Sequence, residues 1–380
     1  MSSLPIDPAD PVLAGAVWTH LAEPGDPAVR ILQRVLGSEA ALQWVFADEA
    51  GPVPEETIPW ATCHERWHPR ARALNLGQSL TELHRLGGRI IVPSSPDWPA
   101  QLGALEDREP QALWVLGAGN LGAHSVALVG ARASSDYGNR VGATLARDLV
   151  SAGYPVISGG AYGIDAAAHW ASVAAARPDG FAGVAVLCGG VGNRYPRSNE
   201  EMFQQLMKVG MLISEVPPHW RPARWRFLER NRIIAALSQV TVVVEAGVRS
   251  GALATANRAL EQGRPVGAVP GPITSPTSSG CHQLLRDGAE LIGSLDDVLN
   301  LLPGQGVGGE SAGTTASPAD LSPVARVVWD AFPRSGLAGV QQLGLAGGLG
   351  VSEVETALLE MQLRGLVGRE GATWVRLEVQ

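Results

Sequence analysis

Between Ser125 and Ala289, short β-branched runs alternate with helix-like runs, and glycine marks most of the junctions. Six runs predict strands, at 126–129, 155–158, 184–187, 212–214, 241–245 and 265–269. They are apolar throughout rather than alternating, which predicts strands covered on both faces. Helical spacing fills most gaps, at 140–152, 165–175, 199–208, 231–237 and 252–262. Strand–helix alternation of this kind predicts an α/β fold built on a doubly wound, mainly parallel sheet.

The flanks follow other periods. Residues 1–85 carry helical apolar spacing at 13–22, 28–37 and 39–48, and predict a small helical N-terminal domain. The sheet domain is expected over 86–302. Residues 303–322 (PGQGVGGESAGTTASPADLS) are too rich in Gly, Ser, Thr and Pro to build a core, and predict a flexible linker. Residues 323–380 read as three helices followed by a β-hairpin, the winged-helix order.

Charge narrows the function classes. The 380-residue chain carries a net charge of −8, so a generally basic nucleic-acid coat is excluded and any DNA site must be a local patch. Three unpatterned cysteines fit a reducing cytoplasm. No apolar run is long enough to span a bilayer and no secretory leader is evident, so no membrane role is expected.

The chemistry-bearing residues cluster at the glycine-rich junctions. Gly130-Ala131-Arg132 ends a strand ahead of a helix, where free amides and a guanidinium suit a phosphate. An ordinary turn with an exposed arginine is the plainer alternative. The GxGxxG spacing is absent, so no dinucleotide cofactor is expected. Ser158-Gly159-Gly160 opens a second such turn. Asp165 and His169 follow, read as a helix-start acid and a packed histidine bonded to backbone. Residues 221–232 (RPARWRFLERNR) hold five arginines and one acid, Glu229, with Trp225 and Phe227 interleaved. Cations with rings suit single-stranded nucleic acid, against the alternative of a solvated loop anchored by its aromatics. Glu245 ends a strand, where a carboxylate serves as a general base or ties down arginines and amides. Ser250-Gly251 opens the next helix as an N-cap or a phosphate-binding hydroxyl. Cys63, His64 and His68 lack a fourth ligand, and Cys281-His282 reads as a helix start, so neither a metal nor a catalytic residue is assigned. The third helix of the C-terminal segment begins with Ser352, Glu353 and Glu355, acids that oppose entry into a major groove. Arg364, Arg369 and Arg376 compensate only in part, and a protein contact fits at least as well.

These motifs, in this order, resemble the DNA-processing protein A (Smf) family of bacterial transformation proteins. GAR at 130–132, Tyr137-Gly138, SGGAYGID with His169, AVLCGGVGNRYPRSN, ISE, RNRIIAALS, EAGVRSGALATA, AVPGP and SGCHQLLRDGA carry the resemblance over about residues 90–300. It implies an extended Rossmann-like fold that binds single-stranded DNA and delivers it to the recombinase RecA, with self-association as a homodimer. The phosphate-binding arginine maps to Arg132, the paired turn to Ser158, Gly159 and Gly160, and the basic stretch to Arg230 and Arg232. The expected DNA-binding set is therefore Gly130, Ala131, Arg132, Ser158, Gly159, Gly160, Trp225, Arg230, Asn231, Arg232, Ser250 and Gly251. Leu228-Glu229 departs from the family's proline and basic or neutral residue, which reverses one charge in the patch. His282 stands where asparagine is usual. The rival reading is a nucleotide-binding enzyme, such as a nucleoside-monophosphate phosphoribohydrolase acting through Glu245. A weaker third is a duplex-binding regulator acting through the winged helix.

Overall fold

The structure is a computed structural model that describes residues 4–119, 124–178, 180–303, 321–333, 337–363, 366–370 and 373–377. The expected linker lies almost wholly outside the described residues, as does Arg364. The chain divides into two compact units, Met1–Gly306 and Val307–Gln380.

The first unit opens with five helices, α1 (Pro11–Leu21), α2 (Pro27–Leu36), α3 (Ser38–Phe46), α4 (Trp60–Arg72) and α5 (Leu76–Arg85). Asp10 and Asp26 start the first two by one device. Each carboxylate accepts from backbone amides of the first turn, and a proline follows at the first helical position, where no donor is lost.

Nine strands follow: β1 (Arg89–Ile91), β2 (Leu113–Gly117), β3 (Val126–Gly130), β4 (Val156–Ser158), β5 (Gly183–Leu187), β6 (Met211–Ser214), β7 (Val240–Glu245), β8 (Val266–Ala268) and β9 (Glu290–Leu291). Their order is β1-β2-β6-β5-β4-β3-β7-β8-β9. β1–β2 and β2–β6 pair antiparallel, and all other neighbours are parallel. All six expected strands form. The connecting helices are α6 (Asp136–Ser151), α7 (Ile164–Ala175), α8 (Glu200–Val209), α9 (Arg224–Leu237), α10 (Gly251–Glu261), α11 (Ser279–Arg286) and α12 (Leu295–Asn300). From β3 the chain steps outward through β4, β5 and β6, then returns to lay β7 on the other side of β3. That reversal leaves a crevice at the carboxyl ends of β3 and β7.

Both sheet faces are buried, as the apolar runs predict. On β5, Ala185 and Leu187 join a core shared with α8 and the N-terminal helices, while Val184 and Val186 join the opposite core with α9. The N-terminal helices thus share one core with β2, β5 and β6. Trp114 of β2 is fully buried there, and its indole Nε1 donates to Thr19 Oγ1 at 3.2 Å. Trp18 meets Trp67 edge-on at 5.7 Å in the same core.

The second unit contains α13 (Pro323–Ala331), β10 (Ala338–Gly339), α14 (Val340–Gly347), α15 (Val351–Leu363), β11 (Val367–Glu370) and β12 (Thr373–Arg376). The three strands form an antiparallel sheet in the order β10-β12-β11 around Val328, Leu343, Leu358 and Trp374. Three helices and a terminal hairpin are the elements expected there, with one short strand added.

Trp114→Ala removes the ring that ties helices to sheet. It should lower the unfolding free energy by about 3–5 kcal/mol in urea titrations. A loss under about 1 kcal/mol would contradict the shared core.

Candidate nucleic-acid interface

The crevice at the strand reversal is a cleft of about 920 Å³. Gly130, Ala131 and Arg132 leave β3 into it, Gly247 and Arg249 follow β7, and Ser250 and Gly251 open α10 on its wall. The opposite wall is α9, which presents Arg224, Phe227, Leu228, Asn231 and Ile234. Those positions recur every three or four residues and so fall on one helical face. Asn231 ties the two walls together by donating to Gly251 O at 3.3 Å.

Arg132, Arg224 and Arg249 are exposed around the cleft, and none forms an ion pair among the described residues. The Arg132 guanidinium sits 4.4 Å from the centre of the Phe227 ring, a cation–π contact that leaves its donors facing outward. Tyr195 meets Phe227 edge-on at 6.0 Å. Ala223, which starts α9, supplies no side-chain cap, so the positive end of that helix adds to the charge of Arg224. The Ser250 hydroxyl accepts from Ala252 N at 3.3 Å, and Gly251 is exposed. Cations, open amides and rings at one crevice can hold a chain of phosphates and stack against bases.

Beneath the cleft, the two glycine-rich junctions hold carboxylates of the chain itself. Asp165 Oδ2 accepts from Gly159 N at 3.2 Å and from Ala161 N at 3.3 Å. Burial pushes the Asp165 carboxyl up, and the nearby Arg230 charge and these amides pull against it. Arg230 forms the floor, with Nη1 donating to Val186 O at 2.6 Å. Its guanidinium lies so close to Gly159 that a Cβ there would sit 1.8 Å from Nη1. Glu245 occupies the start of α6, taking Ser135 N and Ser135 Oγ at 2.8 Å each and Thr277 Oγ1 at 2.5 Å.

The cleft therefore gathers Gly130, Ala131, Arg132, Arg230, Asn231, Ser250 and Gly251 from the expected set. The remaining five residues lie elsewhere. The turn at Ser158, Gly159 and Gly160 is not an open cradle, because Asp165 fills it and Ser158 Oγ donates to Leu128 O at 2.7 Å. Arg232 is only 2 % exposed and gives Nη2 to both Glu215 oxygens at 2.6 Å, so it belongs to the core. Trp225 faces a neighbouring groove. The reversed charge does not enter the cleft either, since Glu229 bonds Arg108 Nη2 at 2.5 Å on another face of α9. The spacing missed Arg249 and Arg224 as individual cleft residues. Extending the 231–237 helix back to 224 would have placed Arg224 on the cleft face, whereas Arg249 lies in the turn after β7. The absence of a capping residue at Ala223 hid the start of that helix.

Other readings settle locally. His169 is fully buried, but neither ring nitrogen bonds backbone, which corrects the expected contact. His64 and His68 bond Ala47 O and Val45 O at 3.0 Å, and His282 bonds Gly271 O at 2.9 Å. Among the described residues, no group of three or more His, Cys, Asp or Glu is placed to hold a metal. No described helix is long and apolar enough to cross a membrane. Glu245, the acid of the enzymatic rival, does not line the cleft.

Fold and site together define a doubly wound α/β protein with an arginine-lined cleft at its strand reversal. Residues 89–303 match the family model for DNA recombination-mediator protein A, and the chain belongs to that family. A putative DNA processing protein DprA from Mycobacterium tuberculosis is 37% identical over 97% of this chain and 95% of its own. The structure of DNA processing protein A from Streptococcus pneumoniae matches with a TM-score of 0.61 at 28% identity, over 76% of this chain and 96% of that one. DNA processing protein A from Helicobacter pylori, solved for its single-stranded DNA binding mode, matches at 0.50 and 26% identity. That match covers 56% of this chain and 94% of the other.

Two predictions separate structural from surface charge. Arg232→Ala leaves Glu215 buried without its partner and should cost about 3–5 kcal/mol in denaturant titrations, while Arg249→Ala should stay within about 0.5 kcal/mol. Equal effects would refute the division. The second concerns acid. Burial, with the Arg230 charge, lowers His169 from 6.5 to about 3. Burial, with His219, lowers His20 from 6.5 to about 4. The unfolded chain then takes up these protons first, so stability should fall as pH drops from 6.5 towards 4. His169→Leu breaks no hydrogen bond and should flatten that fall; an unchanged pH slope would show that His169 does not contribute.

Proposed function

We propose that the chain is a non-catalytic mediator that binds single-stranded DNA in the cleft and loads a RecA-type recombinase onto it in the cytoplasm. Arg132, Arg224, Arg249 and the Gly251 amide contact successive phosphates, and Phe227 stacks against a base. Arg230, buried and bonded to Val186 O, keeps the floor positive. Sequence preference is weak, because backbone contacts carry little base information. No cofactor or metal takes part.

The observation that carries this reading is the set of three unpaired arginines around a cleft with rings on its wall, on a chain of net charge −8. The Helicobacter pylori relative, described for its single-stranded DNA binding mode, supports it. Uptake of DNA in natural transformation, action as a homodimer and delivery to RecA extend the proposal along the family resemblance. The C-terminal unit is assigned to protein contact, since α15 begins with Ser352, Glu353 and Glu355 at the end a groove would receive.

Fluorescence anisotropy on labelled oligo-dT and a matched duplex, across salt, tests the core of this. Single-strand preference is expected. Arg132→Glu should cut affinity strongly, and Arg249→Ala should reduce the slope of log K against log salt by about 0.7, one phosphate's share on a single strand. Wild-type affinity in Arg132→Glu would overturn the site. Release of free base from nucleotides, lost in Glu245→Gln, would favour the enzymatic rival instead.

A further inference from the structure

Trp225 is 56 % exposed, yet it does not face the main cleft. It lines a second groove of about 650 Å³ between the N-terminal helices and the start of α9. Pro222 lines both hollows, so the two adjoin at that residue.

One carboxylate organises this groove. Glu23 Oε2 accepts from the Trp225 indole Nε1 at 3.2 Å and from Arg226 Nε at 2.9 Å. Its Oε1 accepts from Arg226 Nη2 at 3.0 Å and from Arg70 Nη2 at 2.9 Å. Burial would raise the Glu23 carboxyl, but these bonds and the Arg226 charge bring it from 4.5 down to about 2, so it stays ionised. Arg226 and Arg70 are thereby neutralised, and they also cover Trp220 at 4.6 and 5.9 Å from its ring centre. Arg221 lies exposed in the same groove and forms no ion pair among the described residues. What the groove offers is therefore specific: an indole held by its edge with its ring exposed, beside one unpaired cation.

A large exposed ring that is already oriented loses little freedom on binding and stacks on any base. Resting on the proposed DNA role of the main cleft, we infer that the strand continues over Pro222 into this groove. There one base stacks on Trp225 and Arg221 takes an adjoining phosphate. The N-terminal helices then become part of the DNA path through Glu23 and Arg70, which hold the stacking platform.

The test is anisotropy on the full chain with labelled oligo-dT of increasing length, comparing wild type, Trp225→Ala, Trp225→Phe and Arg132→Glu. Short strands filling only the main cleft should bind wild type and Trp225→Ala alike. Long strands should bind Trp225→Ala about 5-fold or more weakly, with Trp225→Phe recovering most of the loss. Arg132→Glu should weaken both lengths. Trp225→Ala equal to wild type at every length, or weakened equally at every length, overturns the extended path. If Arg132→Glu still fails to bind, the main cleft reading stands alone. Wild-type binding by Arg132→Glu overturns the main reading, and this one with it.

Discussion

Asp165 and Glu245 occupy amides at two of the glycine-rich junctions along the sheet's carboxyl edge, which closes those junctions to an anion and bears on where the proposed site can lie. A parallel sheet points several helix N-termini to one side, each with unsatisfied donors and a partial positive charge. Left bare, every one would attract anions, and the edge would have no defined site. Asp165 satisfies Gly159 and Ala161, and Glu245 satisfies Ser135 at the head of α6. At the cleft itself, α9 starts without a side-chain cap, and α10, capped at Ala252 by the Ser250 hydroxyl, leaves Gly251 exposed.

Charge on the rest of the molecule follows the same logic. Most arginines near α9 are committed: Arg232 to Glu215, Arg226 and Arg70 to Glu23, Arg108 to Glu229. Near α9 this leaves Arg132, Arg221, Arg224 and Arg249 without an ion pair among the described residues, around the cleft and the Trp225 groove. Arg230 is the intermediate case. It is buried, bonded through Val186 O, and balanced by Asp165 rather than by a direct ion pair, so its charge supports the floor without competing for a ligand.

Much of this was legible in the sequence, for identifiable reasons. Strands such as VALV and VTVVVE are apolar throughout because both faces are covered, and they were found within one or two residues. Arg132, Ser250 and Gly251 sit at strand–helix junctions, where local spacing alone fixes their position. The filling of the turn at Ser158 was not legible, because Asp165 reaches back into it from the first turn of the next helix. The division of the arginine run was hidden for another reason. Once α9 is known to begin at Arg224, its period sends 224, 227, 228 and 231 to the cleft, 232 to the core and 229 to another face against Arg108. The sequence lacks the start signal, since Ala223 offers no capping oxygen and the helix has almost no separation of polar from apolar faces.

That missing cap is consistent with the function proposed for the site. Serine, threonine, aspartate or asparagine at position 223 would stabilise α9 by about 1 kcal/mol, and arginines in the first turn oppose the helix dipole. Both features leave the start of α9 short of negative charge. On the proposed function, a phosphate at the cleft mouth would supply what a capping carboxylate otherwise would, and would stabilise the helix. By the same reciprocity, a residue that capped α9 internally would compete with such a phosphate for the same amides, just as Asp165 fills the amides of Gly159 and Ala161 at the neighbouring turn.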